Sequence, residues 1–486
     1  MKSRELRLCG GVFVAALLLD LSWRSYFFNF DGVACAIAVE LSDFRHLVHG
    51  NHLAYGVAAW LFDRALRLFG YRGEAILSLQ ILDALLGAAG AAVFASLLRR
   101  SGRSEREAAL GAAALAVSQA WWFWSLEAQV YMLGALFAAL AAREALAEEP
   151  RPALAGFWEA CAVLGHVGHL MAAPALVWLL SRRRRASIRP FAAALALTVA
   201  AAYLAAGLLA VRPLGLDDLR LWLLGSAALK PDRSFSWHGA APVEALAAWT
   251  RMTLRIFCDF VGLSGAPAGA GVVLAALPLA AAARGAARGG RAGVAEPACF
   301  WLFWLVGYAA LYLAWEPFTV VYRVSDLLGL WALAFLGLDV LPARARAAAL
   351  AAWVAAAGVF NWATQIRPHA DPSANPDYAQ ALWLAAAAPD EGWVVVYGRD
   401  QVYTPYFAHR RPLNLRYLPD AESLDAKLDD LAALGEKVFA VDRTLDESGR
   451  RAEFERYGLE ALAASDGRTL FRVKRPASPK AAAGKN

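Results

Sequence analysis

An acid placed at the end of a long apolar run is costly, and therefore informative. Asp31 directly follows the first such run, in NFDG, with Glu40 and Asp43 shortly behind it. A carboxylate at a membrane edge can serve as a general base, drawing the proton from a hydroxyl as its oxygen attacks. The plain alternative for each is a solvated loop acid. Glu127, in WWFWSLEAQVY, sits in a tight turn between two apolar runs and is a second candidate acid. Trp121, Trp122 and Trp124 beside it fit an interfacial aromatic belt. His166 and His169, in LGHVGHL, would share a face if helical, where they can meet a phosphate or a metal. A satisfied polar pair inside a bundle is the competing reading, and two histidines without a nearby carboxylate do not specify a metal. Arg323 closes the short turn WEPFTVVYR, with Glu316 ahead of it. A guanidinium there can neutralise a phosphate leaving group, or simply pair with Glu316 or reach for the interface.

These side chains sit in a chain built for lipid. Of 486 residues, 59% are hydrophobic and 19% charged, and mean hydropathy is +0.41. A soluble domain needs a more highly charged surface than this. The net charge of +6 comes from basic residues in short runs between apolar stretches, which encodes membrane topology rather than nucleic-acid binding. The five cysteines form no CxxC pair and read as small core residues. P-loop, GxSxG, HExxH and dinucleotide fingerprints are missing, which removes those enzyme classes.

A span needs about 20 apolar residues. Spans are expected near residues 7–28, 75–98, 107–124, 126–146, 188–211, 266–283, 297–315, 322–340 and 345–363. The block 153–180, interrupted by Gly165, Gly168 and both histidines, is expected to form two half-helices. The N-terminus with Lys2, Arg4 and Arg7 precedes an uncleaved first span. Together with Arg99 to Arg106, Arg182 to Arg185, Arg284 to Arg291, and Arg344/Arg346, it is expected on the cytoplasmic side. Three segments then fall outside: 29–74, 212–265 and everything after about 364. Patches 52–69 and 243–260 read as helices lying in the interface.

The fold class expected is therefore a mainly α, polytopic membrane bundle with outer interface helices, plus a small C-terminal α/β soluble domain. Domain limits are 1–363 for the membrane part, 364–475 for the soluble part and 476–486 for a disordered tail. Strands are expected at 392–398, 437–441 and 470–473, and helices around 376–388, 421–434 and 449–458. No internal repeat is visible, which counts against an inverted-repeat transporter.

The order of these features resembles the GT-C class of multi-spanning glycosyltransferases, most closely its protein O-mannosyltransferase-like branch. The resemblance rests on Asp31 after the first span, HGNHLAYG in the first loop, the FWSLEAQVY turn and the LGHVGHLMAAP block, and covers about the first 180 residues. It implies a polyprenyl-phosphate-linked sugar donor, an acceptor protein, lipid or glycan on the non-cytoplasmic face, and Asp31 as the base. Glu127 or Glu40 would position the acceptor or a cation; Arg323, His166 and His169 would meet the donor phosphate. His49, His52 and Tyr131 would line the acceptor and donor loop. Nothing in the sequence forces a cofactor, and a divalent cation is left open. The chain departs from the branch at Gln129, where a Glu before Val-Tyr is usual, and in HGNHLAY, which replaces a Pro-Gly-Tyr-like stretch. A lipid-linked sugar transporter or a non-catalytic GT-C-like protein are the alternatives. An Ala- and Arg-rich composition points to a bacterial plasma membrane.

Overall fold

The structure, a computed structural model, describes residues 3–224, 241–290 and 295–474. The tail expected after residue 475 lies outside the described residues, as do residues 225–240 of the outer segment 212–265. Two compact units emerge: one is formed by residues 1–25 and 35–370, the other by residues 26–34 and 371–486.

The first unit is helical throughout its named elements. Among the described residues, five helical segments are long and apolar enough to cross a membrane: Ala75–Arg100, Arg185–Val211, Gly265–Ala287, Ala295–Trp315 and Ala343–His369. Pro152–Gly165 and Asp326–Leu338 are shorter apolar helices. Several expected spans are thus divided or shortened. The run 107–124 breaks at Ser118, whose extended backbone (φ −62°, ψ 134°) separates helix Glu105–Val117 from Gln119–Ser125. Residues 126–130 form a turn, so the next helix begins at Tyr131. The break has a cause: Gln119 and Ala120 turn their N–H groups to the carbonyls of Phe257 and Ile256 instead of continuing the helix. The block 153–180 forms the two halves expected, helices Pro152–Gly165 and Ala173–Arg183, joined by a 3₁₀ turn over Val167–Ala172.

The tryptophans beside Glu127 correct the aromatic-belt expectation. Trp121, Trp122 and Trp124 are all buried inside the bundle, and Trp121 Nε1 donates to the Gly87 carbonyl at 3.2 Å. A bundle of Ala- and Gly-rich helices packs closely, and these large rings fill the space left between them. The first-loop helix Leu53–Leu68 leaves Leu61 and Leu68 exposed on one face and buries Asp63 on the other. Asp63 is fixed by Arg67 Nε at 2.6 Å and by Ser78 Oγ at 2.9 Å. The sequence boundary after residue 363 falls inside a helical run that continues through a π turn to His369. The compact units instead divide after Ala370.

The second unit carries a five-stranded sheet whose strands lie side by side in the order Arg411–Asn414, Trp393–Val396, Val438–Val441, Arg468–Val473 and Leu459–Ser465. β1 (Trp393–Val396) pairs in parallel with β2 (Arg411–Asn414) and β3 (Val438–Val441). β4 (Leu459–Ser465) and β5 (Arg468–Val473) form a hairpin, and β5 runs antiparallel to β3. β1 and β3 read as apolar runs because they are central and covered on both faces. β2 and β4 were not anticipated: RPLN contains a proline tolerated only at a sheet edge, and half of LEALAAS is exposed. Leu424, Leu428 and Leu431 of helix Ala421–Ala433 pack on Val395, Leu413 and Val438.

Candidate functional site

Two buried polar clusters lie in the first unit, joined by two very short connections. One is built on Glu127 and Asp83. Glu127 is fully buried and accepts a hydrogen bond from Ser25 Oγ. Asp83, in ILDALLG on helix Ala75–Arg100, is also fully buried. Its Oδ2 accepts from the Tyr55 hydroxyl at 2.5 Å and from the Gln129 backbone N–H at 3.0 Å. Gln80 Nε2 donates to the Ser25 carbonyl at 2.8 Å. Asp83 Oδ1 and Gln80 Oε1 are buried and have no hydrogen-bond partner among the described residues. Buried carboxyls are normally well partnered, which makes this pair of oxygens unusual and marks Asp83 as a candidate functional acid. Asp83 and Tyr55 were missed in the sequence; an acid inside a span was the available signal for the first.

The other cluster gathers the histidines. His52 immediately precedes the Tyr55 helix, and Tyr131 begins the helix after the Glu127 turn, so chain connectivity ties the clusters together. His49 and His52 stack, ring centroids 4.4 Å apart and planes 11° from parallel. Between them, the Asn51 carbonyl accepts from Val167 N at 2.8 Å, which docks HGNH onto the break in the 153–180 block. His166 has Tyr131 at 5.1 Å, Tyr322 at 6.0 Å and Trp315 at 6.3 Å from its ring centroid. Tyr322 and Trp315 are themselves 4.6 Å apart, and Tyr312 lies 5.7 Å from Tyr322. Tyr131, Trp315 and Tyr322 are half-buried, whereas His166 and His169 are buried behind them.

The two histidines do not share a helix face, as the sequence suggested; the helix is interrupted between them. His166 is extended (φ −159°, ψ 126°), and its Nδ1 accepts the Gly168 N–H at 3.1 Å. His169, in the 3₁₀ turn, places Nδ1 2.7 Å from the Tyr308 hydroxyl. Its ring leans on Gly134: a Cβ there would stand 2.3 Å from His169 Nε2, so only glycine admits this packing. His49 Nδ1 likewise accepts the Asn51 N–H at 3.1 Å. Both backbone bonds fix neutral imidazoles with the proton on Nε2. Burial and the neighbouring imidazoles push His52 down to about 3, so it too is neutral at physiological pH.

Arg323 is elsewhere occupied. Its Nε donates to Asp326, Nη1 to the Trp249 carbonyl at 3.1 Å and Nη2 to Thr253 Oγ1 at 3.0 Å, and it lies 4.7 Å over the Trp249 ring. The partner is Asp326, not the Glu316 suggested by the sequence. Arg323 is nonetheless adjacent in the chain to Tyr322. Glu40 is exposed, and its Oε1 accepts the Ala75 N–H at 2.9 Å, capping helix Ala75–Arg100. Asp31 belongs to the second unit and begins helix Phe30–Leu41. Its side chain reaches solvent, while desolvation by the protein around it raises its carboxyl above the ordinary value. Among the described residues, no group of three or more His, Cys, Asp or Glu side chains is arranged to hold a metal ion.

No protein-family model matches this chain, and no curated protein matches it significantly in sequence. Solved structures do match. ArnT from Cupriavidus metallidurans bound to undecaprenyl phosphate superposes with a TM-score of 0.65 at 13% identity, over 98% of this chain and 100% of ArnT. The chain shares the fold of ArnT. The apo form of ArnT gives the same TM-score over 97% of this chain and 99% of ArnT. The oligosaccharyltransferase of Archaeoglobus fulgidus, in complex with Zn and sulfate, matches with a TM-score of 0.57 at 15% identity, over 96% of this chain and 74% of that one. The likeness in fold therefore extends over nearly the whole chain, beyond the first 180 residues whose motifs carried the sequence resemblance. The ArnT likeness spans both the helical bundle and the C-terminal sheet unit.

Proposed function

We propose that this protein is an inverting membrane glycosyltransferase that moves a sugar from a polyprenyl-phosphate carrier to an acceptor hydroxyl on the non-cytoplasmic face. One observation carries the reading. A polar and aromatic site of histidines, tyrosines and buried acids is built into an apolar bundle that shares its fold with a protein bound to undecaprenyl phosphate. In the proposed step, Asp31 takes the acceptor hydroxyl proton, and the acceptor oxygen bonds to the sugar anomeric carbon. The bond from that carbon to the phosphate oxygen breaks, and the electron pair leaves with the polyprenyl phosphate.

His166, with His49, His52 and Tyr131, binds the donor head through neutral N–H and O–H groups, and His169, bonded to Tyr308 and packed on Gly134, supports it from within the bundle. Arg323, paired with Asp326 and bonded to Thr253 and the Trp249 carbonyl, holds the adjacent Tyr322 in place rather than meeting the phosphate directly. Glu127, with Asp83, orients the acceptor or a cation, and Glu40 holds the end of helix Ala75–Arg100 in register. The position of Asp31 just after the first apolar run favours the O-mannosyltransferase-like branch, from which Gln129 and HGNHLAY depart. The setting proposed is a bacterial plasma membrane, with the N-terminus inside and the C-terminal unit outside.

The test is sugar transfer in proteoliposomes, using a panel of hexosyl and pentosyl polyprenyl phosphates and comparing the native chain with Asp31→Asn. Loss of transfer in a folded variant supports Asp31 as the base. Equal turnover keeps the enzyme and removes that assignment. Donor binding without turnover in both proteins favours a transporter or a non-catalytic member.

A further inference from the structure

The segment that bears Asp31 is fastened by the C-terminal unit. Residues 26–34 belong to that unit although more than 300 residues separate them from the rest of it in the chain. Three features make the attachment. Asn375 Nδ2 donates to the Tyr26 carbonyl at 2.9 Å and to the Phe27 carbonyl at 2.8 Å. The Tyr403 hydroxyl donates to the Phe28 carbonyl. The Phe28 ring is fully buried, 5.0 Å from both Tyr378 and Phe407. Phe28 itself has φ +43°, a left-handed conformation that a bulky residue adopts only when its surroundings over-determine it. The next residue, Asn29, uses its side chain to accept the Asp31 N–H at 3.0 Å and its carbonyl to accept the Val33 N–H at 3.0 Å, which starts the helix bearing Asp31. Clamp, strained turn, cap and acid follow one another within six residues.

We infer that Asn375 and Tyr403 are positioning residues: by clamping the 26–28 backbone they set where the Asp31 carboxylate stands, so the C-terminal unit acts as a holder for the base rather than only as a cover or an acceptor-binding module. The inference rests on the reading of Asp31 as the base. Asn375 has a second duty, since its Oδ1 accepts the Asp377 and Tyr378 N–H groups at the start of helix Pro376–Ala387. Asparagine is therefore required at this position by two unrelated demands: an amide donor for the clamp and an acceptor for the cap. Aspartate would keep the cap and lose the clamp.

The experiment uses the full chain in proteoliposomes with a polyprenyl-phosphate sugar that the native protein turns over. Asn375→Asp and Tyr403→Phe are compared with Asp31→Asn, and amide hydrogen exchange is followed over residues 26–34 and over β1. The expected result is a fall in kcat of about 10- to 100-fold for both clamp variants, with donor KM within about twofold, because a carboxylate displaced by about an ångström loses rate rather than binding. Exchange rises over 26–34 and stays unchanged in β1, which separates a released clamp from a misfolded unit. Asn375→Gln, which retains an amide, should recover part of the rate. Native kcat in the clamp variants with raised exchange over 26–34, while Asp31→Asn is inactive, overturns the holder and leaves the base in place. Native turnover by Asp31→Asn overturns the base, and with it the holder.

Discussion

His166 Nδ1 accepts the backbone N–H of Gly168 at 3.1 Å, two residues further along the interrupted helix. That bond leaves the ring's proton on Nε2, facing away from its own backbone. It also explains the glycine: a Cβ at 168 would stand 3.0 Å from His166 Nδ1 and 3.2 Å from the Tyr312 hydroxyl. Gly168→Ala is expected to turn the imidazole out of place with the bundle intact. Donor KM should rise about tenfold, equivalent to roughly 1.4 kcal/mol of binding, with a smaller change in kcat. Steady-state transfer kinetics against donor concentration check this.

The Asp83 carboxyl has one oxygen bonded twice and the other without a partner among the described residues. Tyr55→Phe removes the 2.5 Å hydroxyl bond from an acid that cannot reach water. Stability should fall by about 1 to 3 kcal/mol. Adding Asp83→Asn should recover part of that loss, because a neutral amide costs less to leave poorly bonded. Thermal unfolding in detergent, read for the two variants side by side, gives the answer; no recovery would mean that the hydroxyl acts through packing alone.

Arg323 and Asp326 are both about 2% exposed in their side chains. Breaking such a pair leaves one buried charge uncompensated. Arg323→Met is expected to destabilise the fold by about 3 to 5 kcal/mol, and Arg323→Met with Asp326→Leu by clearly less. A double variant no more stable than the single one would show that the Thr253 and Trp249 contacts, not the ion pair, hold this corner.

In the second unit, burial pushes the Asp400 carboxyl up to about 6, against bonds from Thr444 at 2.8 Å and Gln380 at 2.9 Å that favour the ionised form. The folded state therefore holds this proton more tightly than the unfolded chain does. Its stabilising contribution is fully present below the ordinary value of 3.8 and is lost as pH rises toward 6. Asp400→Asn keeps the acceptor oxygen and removes the charge. Relative to the native chain, it should gain up to about 3 kcal/mol at pH 7.5 and little at pH 4. Hydrogen exchange of β1 in the full-length protein at the two pH values measures the difference.

Much of the frame was legible because the membrane imposes simple rules. The break in the 153–180 block followed from Gly165, Gly168 and two polar rings inside an apolar run, and the structure interrupts the helix over Val167–Ala172. β1 and β3 were visible as dense apolar runs. The shortened helix at Tyr131 was not, since Leu126, Glu127, Ala128, Gln129 and Val130 carry no glycine or proline to break a helix, and their departure from it comes from bonds to other elements. The Arg323–Asp326 pair is local by contrast: Asp326 lies three residues on, one helical turn away and nearer in the sequence than Glu316, on the side where the guanidinium points.

The sequence alone determined that this chain lives in a membrane, that acids and histidines gather between its apolar runs, and that a soluble α/β unit follows them. These properties depend on composition and on spacing within a few residues, so a linear reading captures them. Only the tertiary structure decided that His49 and His52 stack on each other while Asn51 between them docks on the His166 break, that Asp83 joins the Glu127 turn through the Gln129 N–H, and that Asn375 and Tyr403 grip the turn before Asp31. Such contacts join residues tens to hundreds of positions apart. Their cause is the need to satisfy buried backbone and side-chain polar groups wherever packing has taken water away, and that need leaves no local trace in the sequence.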